Sequence, residues 1–126
     1  MATAPAFAAT PKCAMGALAT ADTSRTAPTT VVTIYTAGAS GSRIDSVNVV
    51  ATGTTTAGVV RLFIYDGTNY RLFQEVLVSA TTPSVSVPVF SASLSFNTFL
   101  LPSGYSLRAT TNNTEGFNVI AFGGDF

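Results

Sequence analysis

The chain contains no histidine and no tryptophan, one cysteine and one lysine, and only 10% of its residues are charged. Each shortage closes a class of function. Without His, the commonest general base, metal ligand and triad member is missing. Cys13 has no imidazole to activate it and no second cysteine to bridge, which sets aside both thiol catalysis and the disulfide-stapled secreted class. In its stretch of small residues it reads as a small hydrophobe. With Lys12 as the one lysine there is no Ser–Lys pair, and no G-x-S-x-G elbow surrounds the many serines. The arginines (Arg25, Arg43, Arg61, Arg71 and Arg108) are scattered, and the formal net charge is +0. Nucleic-acid binding needs clustered cations that release counterions, so no direct nucleic-acid partner is expected. No apolar run reaches the roughly 18 residues that span a bilayer, so no membrane partner is expected either. The start, Met1 to Pro5, lacks a positive n-region, and Pro5 and Pro11 interrupt it. Synthesis in a reducing cytoplasm without a signal peptide is the expectation.

The carboxylates, Asp22, Asp45, Asp66, Glu75, Glu115 and Asp125, make no D-x-D-x-D calcium loop. For glycoside hydrolysis the best pair would be Asp45 with Glu75, but pairing of each with an arginine is the plainer expectation. Asp66 opens a turn, where an Asx-turn accounts for it. Asn112-Asn113-Thr114 fits a glycosylation acceptor from Asn112, and without a secretion signal it reads as chance. Tyr35, Tyr65, Tyr70 and Tyr105 could build an aromatic platform for sugar; core and cross-strand packing is the simpler use, and the lack of Trp weakens the platform. No catalytic residue, metal or cofactor is expected.

Hydrophobic residues make up 47% of the 126, enough for one domain with its own core. A typical soluble domain is about 25% charged. Here Thr and Ser supply the polar surface instead. Desolvating a hydroxyl costs far less than desolvating an ion, so such a surface tolerates burial against a partner.

Residues 1–28 are rich in Ala, Thr and Pro, with Phe7, Met15 and Leu18 as their large apolar side chains. Prolines at 5, 11 and 28 break any helix. The segment reads as an extended N-terminal arm that lies on a neighbouring subunit, with Lys12 to Ala21 as a short strand or a poor helix. From residue 29 the pattern is β. Strands are predicted at 30–35, 43–52, 59–65, 70–79, 85–90, 91–96, 104–111 and 117–122, with turn residues between them. Asp66-Gly67-Thr68-Asn69 marks the clearest hairpin. In 43–52 the apolar alternation carries one irregularity, and Pro88 argues for an edge or a bulge in 85–90. About eight short strands point to an all-β fold, a single antiparallel sandwich over 29–126. A jelly roll is the first expectation and an immunoglobulin-like sandwich the second. Phe99, Leu100 and Leu101 sit together in a connection, either plugging the core or touching a subunit. The candidate interface is therefore Phe7, Met15, Leu18, Phe99, Leu100 and Leu101.

Three stretches, Val47 to Gly67, Leu101 to Thr111 and Phe117 to Phe126, carry a resemblance over roughly residues 30–126. Their phrases, among them Val59-Val60-Arg61-Leu62-Phe63-Ile64-Tyr65-Asp66-Gly67 and Phe117-Asn118-Val119-Ile120-Ala121-Phe122, are similar to small structural proteins of tailed bacteriophage virions. What the resemblance implies is a virion component of the capsid decoration, or cement, type. Such proteins are β-domains present in many copies, often trimers, that use terminal arms to grip neighbours. The implied partners are the major capsid protein or other virion subunits, and other copies of the chain. The alternative is a tail or fibre domain binding a cell-surface glycan through exposed tyrosines and the loops 36–42, 52–58 and 112–116.

Overall fold

The computed structural model describes residues 10–97 and 99–126. Nine strands follow one another: β1 (Thr10–Leu18), β2 (Val32–Thr36), β3 (Ser42–Ala51), β4 (Gly58–Tyr65), β5 (Tyr70–Val78), β6 (Ser91–Ser95), β7 (Leu100–Leu101), β8 (Ser106–Thr111) and β9 (Phe117–Asp125). The described residues contain no helix. One sheet runs β1-β9-β3-β6, with the two-residue β7 also on β3, and the other runs β2-β8-β4-β5. All ladders are antiparallel. Only β4 and β5 are joined as a hairpin; apart from the step from β6 to β7, every other connection crosses between the sheets. This interleaving is the strand order of a jelly roll, so the expected β-sandwich is what the chain forms.

Local chemistry explains the elements. In the β4–β5 turn the Asp66 carboxylate accepts from the N–H groups of Thr68 and Asn69 at 2.9 and 2.7 Å. Gly67 takes φ +100°, a conformation that a side chain would strain. In β3 the inward residues are Ile44, then Val47, Val49 and Ala51; a register shift between Ile44 and Ser46 leaves Asp45 bulged and exposed. The core between the sheets joins these to Val60 and Leu62 of β4, Leu107 and Ala109 of β8, and Phe117, Val119 and Ala121 of β9. Each fully buried aliphatic of this kind contributes about 1.5–3 kcal/mol before entropy is subtracted.

Two expectations are corrected. The segment 1–28 is not an arm throughout. Thr10–Leu18 pairs with β9 along its whole length, from Thr10 opposite Asp125 to Leu18 opposite Phe117, and Leu18 is buried in the core. Its inward positions are Lys12, Ala14, Gly16 and Leu18, a period-two pattern hidden because three of the four are small or polar. Small size is required there: a Cβ on Gly16 would lie 2.8 Å from Ile34 Cδ1 and 2.9 Å from Val32 Cγ1. Residues 1–9, Phe7 among them, lie outside the described residues. The stretch 85–90 is not a strand either. Pro83 and Pro88 remove ladder donors, and Ser84 and Val87 close a tight turn by exchanging N–H···O bonds at 2.9 and 3.3 Å.

The connection 19–31 crosses the outer face of the β2-β8-β4-β5 sheet. Ala21 bridges to Thr111, Arg25 reaches Glu75 on β5, and Pro28 is buried. β4 is therefore covered on both sides, which is why Phe63 and Arg61 on its outer face are as buried as Val60 and Leu62 on its inner face.

Removal of residues 1–18 strips β1 from β9 and is expected to abolish the cooperative urea transition. Gly123→Ala would drive a Cβ into the Arg43 carbonyl oxygen at the β3 bulge. The same denaturation experiment should show a loss of about 3 kcal/mol, the upper end for overpacking.

Candidate functional site

The charged residues serve the fold. Arg61 is 2% exposed, and every arm of its guanidinium is engaged. Nε donates to Glu75 Oε2 at 2.8 Å, Nη1 to the Asp22 carbonyl at 3.3 Å and Nη2 to Asn112 Oδ1 at 3.1 Å. Arg25 Nε donates to the same Glu75 oxygen at 2.8 Å. The Asp22 carboxylate folds the crossing segment back on itself, accepting from the N–H groups of Ser24, Thr29 and Thr30 at 3.0, 2.7 and 2.7 Å. Partial burial opposes the Asp22 charge, but those backbone donors and nearby Arg61 outweigh it and hold the carboxyl below the ordinary range. Glu75 is also held low, first by its hydrogen bond from Arg25, against some desolvation, and then by Arg61.

A second polar group ties the sheets at the other end. Lys12 Nζ donates to the Thr36 carbonyl at 2.8 Å, sits 3.7 Å from Asp125 and lies 4.4 Å from the Tyr35 ring centroid. Asp125 Oδ1 accepts from Ser42 Oγ at 2.5 Å and from Tyr35 Oη at 3.1 Å. Ser42 leads in holding Asp125 low, desolvation opposes it, and Tyr35 and Lys12 add to it. Burial chiefly, with the Asp125 charge beside it, pushes the Tyr35 phenol up to about 12 although its Ser42 contact works the other way.

The best carboxylate pair from the sequence is not brought together for chemistry. Asp45 pairs with Arg43 at 2.9 Å on one sheet, and Glu75 with Arg25 and Arg61 on the other. Among the described residues no group of three His, Cys, Asp or Glu gathers to hold a metal ion. The tyrosines do not form one platform. Tyr35 is fully buried, while Tyr65 and Tyr70 stack on each other at 4.3 Å with the Arg108 guanidinium 4.1 Å from the Tyr65 centroid. The loops assigned to glycan contact also separate. Loops 52–58 and 112–116 meet where Glu115 Oε2 accepts from Thr56 N and Oγ1, whereas 36–42 lies at the opposite end against Tyr105 and Leu101.

Of the candidate interface residues, Leu18, Phe99 and Leu101 are in the core, at 3%, 5% and 1% exposure. Phe99 stacks with Phe73 at 4.7 Å and Phe96 at 5.1 Å, and Leu101 enters the core from β7. These residues plug the domain and are closed off from its surface. Met15 (67%) and Leu100 (54%) are exposed, Met15 on the edge strand β1 and Leu100 on β7 beside β3 of the same sheet. Beside Leu100, the gap between the sheets at β5 and β6 opens as a groove of about 460 Å³ lined by Ile64, Phe73, Phe96 and Phe99.

Two surface features escaped the sequence reading. From Val76 to Leu107 there is no Asp, Glu, Lys or Arg. This stretch forms the flank of the sandwich from the end of β5 through the loop 79–90 to β6 and β7, and it exposes Leu77, Val85, Val87 and Leu100. The gap in charge was the available signal. The second is the outer face of the β1-β9-β3-β6 sheet, whose outward residues from Cys13 to Ala17, Asn118 to Phe122, Ser46 to Val50 and Ser91 to Ser95 carry no charge. Among the described residues no helix is long and apolar enough to cross a membrane.

No family model matches the chain, and no curated protein matches it. Among solved structures, a pentameric capsid protein isolated from metagenomic phage sequences is similar at 16% identity and a TM-score of 0.43. The alignment covers 81% of this chain and 58% of that one, so the chain spans less than two thirds of that protein's length. A likeness that loose fixes neither fold nor function here.

Arg61→Ala removes the three hydrogen bonds of the buried guanidinium, leaves Glu75 to Arg25 alone and frees the Asp22 carbonyl of the crossing segment; chemical denaturation should register a loss of about 3 kcal/mol, the low end for breaking a buried ion pair. The depressed carboxyls set the acid response. A group whose folded value lies below its unfolded value stabilises the fold above the unfolded value and loses that contribution as pH falls toward the folded one. Stability is thus expected to hold from neutral pH down to the ordinary Glu and Asp values of 4.5 and 3.8 and to fall below them. Glu75→Gln and Asp22→Asn, followed by urea midpoint against pH, should each flatten that fall.

Proposed function

We propose that the chain is a non-enzymatic structural subunit of a bacteriophage virion, a capsid decoration protein that binds and stabilises the lattice of the major capsid protein. The observation that carries this reading is the uncharged flank between Val76 and Leu107, with Leu77 at 77% and Leu100 at 54% exposure. A monomeric domain rarely leaves such a flank in water. Covering it displaces water from apolar surface without stripping any ion, so each contact is favourable although none is strong. The resemblance of the 47–67, 101–111 and 117–126 stretches to phage structural proteins supports the same reading.

The mechanism is mass action. A domain that binds the expanded lattice and not its precursor stabilises the former; occupancy at a hundred times Kd contributes about 2.7 kcal/mol per site. Many copies joined on one shell raise the effective affinity further.

Light scattering of the purified chain, alone and with expanded capsids, tests the proposal. Uptake to a fixed stoichiometry with a raised capsid melting temperature is expected. Leu77→Asp should weaken uptake by about tenfold or more, an ion now being buried at the contact, with its own unfolding midpoint unchanged. A monomer that ignores capsids and binds a glycan array would replace this reading with that of a tail or fibre domain.

A further inference from the structure

We infer that two uncharged patches on different sides of the domain are the two halves of one head-to-tail contact between copies of this chain. The inference deepens the reading as an assembly subunit and rests on it, but not on the partner lattice being a capsid.

One patch is a hole. On the outer face of the first sheet, Met15 and Ala17 of β1 stand beside Ile120 and Asn118 of β9, in the register Met15–Ile120 and Ala17–Asn118. With Gly16 they surround a depression of about 340 Å³. Gly16 points inward and lends only its backbone to the floor; the depression is open because the outward Ala17 is small where Met15 and Ile120 are large. No outward residue in the neighbouring rows on β3 and β6 is charged, the positions being Ser46, Asn48 and Val50, then Ser91, Ser93 and Ser95.

The other patch is a knob. The loop 79–90 ends in the Ser84–Val87 turn, held by hydrogen bonds in both directions. Pro83 and Pro88 flank that turn, and fixed proline φ angles limit its motion. Val85 at its tip is 109% exposed and Val87 42% exposed. A stiffened tip that presents valine to water has no contact to make within its own fold.

Hole and knob match in chemistry, since neither would desolvate an ion. They cannot meet within one molecule. β1 carries the hole at one edge of its sheet, and the knob leads into β6 at the other edge, about 14 Å away at about 4.8 Å per strand spacing. The contact is therefore heterologous: each copy offers a knob to one neighbour and a hole to the next, which closes a ring or extends a lattice and does not make a two-fold dimer. Its area sets its strength. The uncharged sheet face spans about 20 by 20 Å, about half of the ~800 Å² per partner that a stable pair uses. One contact is weak, and copies hold when each makes two.

Disulfide trapping captures a weak contact. Two single-cysteine chains, C13S/A17C and C13S/V85C, are mixed under a glutathione redox buffer; both new cysteines replace exposed side chains, and circular dichroism checks folding. The crosslinked heterodimer is expected to exceed both homodimers clearly, because only the mixed pair sets a knob cysteine against a hole cysteine in a heterologous contact. Met15→Asp in the Ala17→Cys chain should remove the excess. The control C13S/T68C, with its cysteine in the β4–β5 turn, should show none. A heterodimer no more abundant with Val85→Cys than with Thr68→Cys, or homodimers in equal yield, would overturn the contact. Capsid uptake of the chain without added cysteines is read separately. Uptake without heterodimer excess sinks this inference and leaves the virion reading standing, and excess without uptake does the reverse.

Discussion

A guanidinium buried to 2% exposure has to find acceptors on all sides, and those of Arg61 come from three places distant in sequence: Asp22 before β2, Glu75 on β5 and Asn112 after β8. The outer face of the second sheet is organised by that requirement. The segment 19–31 lies where it does because its Asp22 carbonyl and Arg25 close the charge network, and β4 can be apolar on both faces because that segment shields one of them. An apolar residue at position 61 would pack there, but it would not dictate which segment covers it. The ion-rich network therefore supplies specificity where the core supplies bulk stability.

Much of the fold was legible. The β4–β5 hairpin was written in Asp66-Gly67, and the irregular spacing from Ile44 to Val47 was the β3 bulge seen as a break in alternation. Large side chains on both faces of β4 recorded its double coverage. What was hidden had physical reasons. β1 turns Lys12, Ala14 and Gly16 inward, so hydropathy gave it no stripe; its pairing partner begins about a hundred residues later. The 85–90 stretch alternates like a strand but has Pro83 before it and Pro88 within it, and its alternation is that of a turn with exposed tips. For Phe99 and Leu101 the sequence left plugging the core and touching a subunit both open, and burial answers with the plug; Leu18, read as part of an arm, is buried too, because short strands and connections also close the ends of a sandwich. Met15 and Leu100, in the same kinds of segment, are exposed.

The surface shows how low charge is used. Six acidic and six basic groups balance, and most of those that pair do so to fix loops: Arg43 with Asp45 at the bulge, Lys12 with Asp125 across the strand ends, Arg25 and Arg61 on Glu75. Charge is thereby spent on internal geometry and withheld from the flank and from the outer sheet face. Hydroxyls and small apolar groups remain there, a surface whose hydration is cheap to give up.

The strand order also carries a consequence for synthesis. β9 is an interior strand of its sheet, lying between β1 and β3. A chain emerging from the ribosome at about 5–20 residues per second exposes β1 and β3 for several seconds before the strand that belongs between them exists. Until then their edges are open and their apolar sides uncovered, and the only local pairing available is the β4–β5 hairpin. The first sheet is therefore completed in one late closing event, once β9 has been made. The growing chain, more than the finished one, is the species that needs protection from its own neighbours on a crowded polysome.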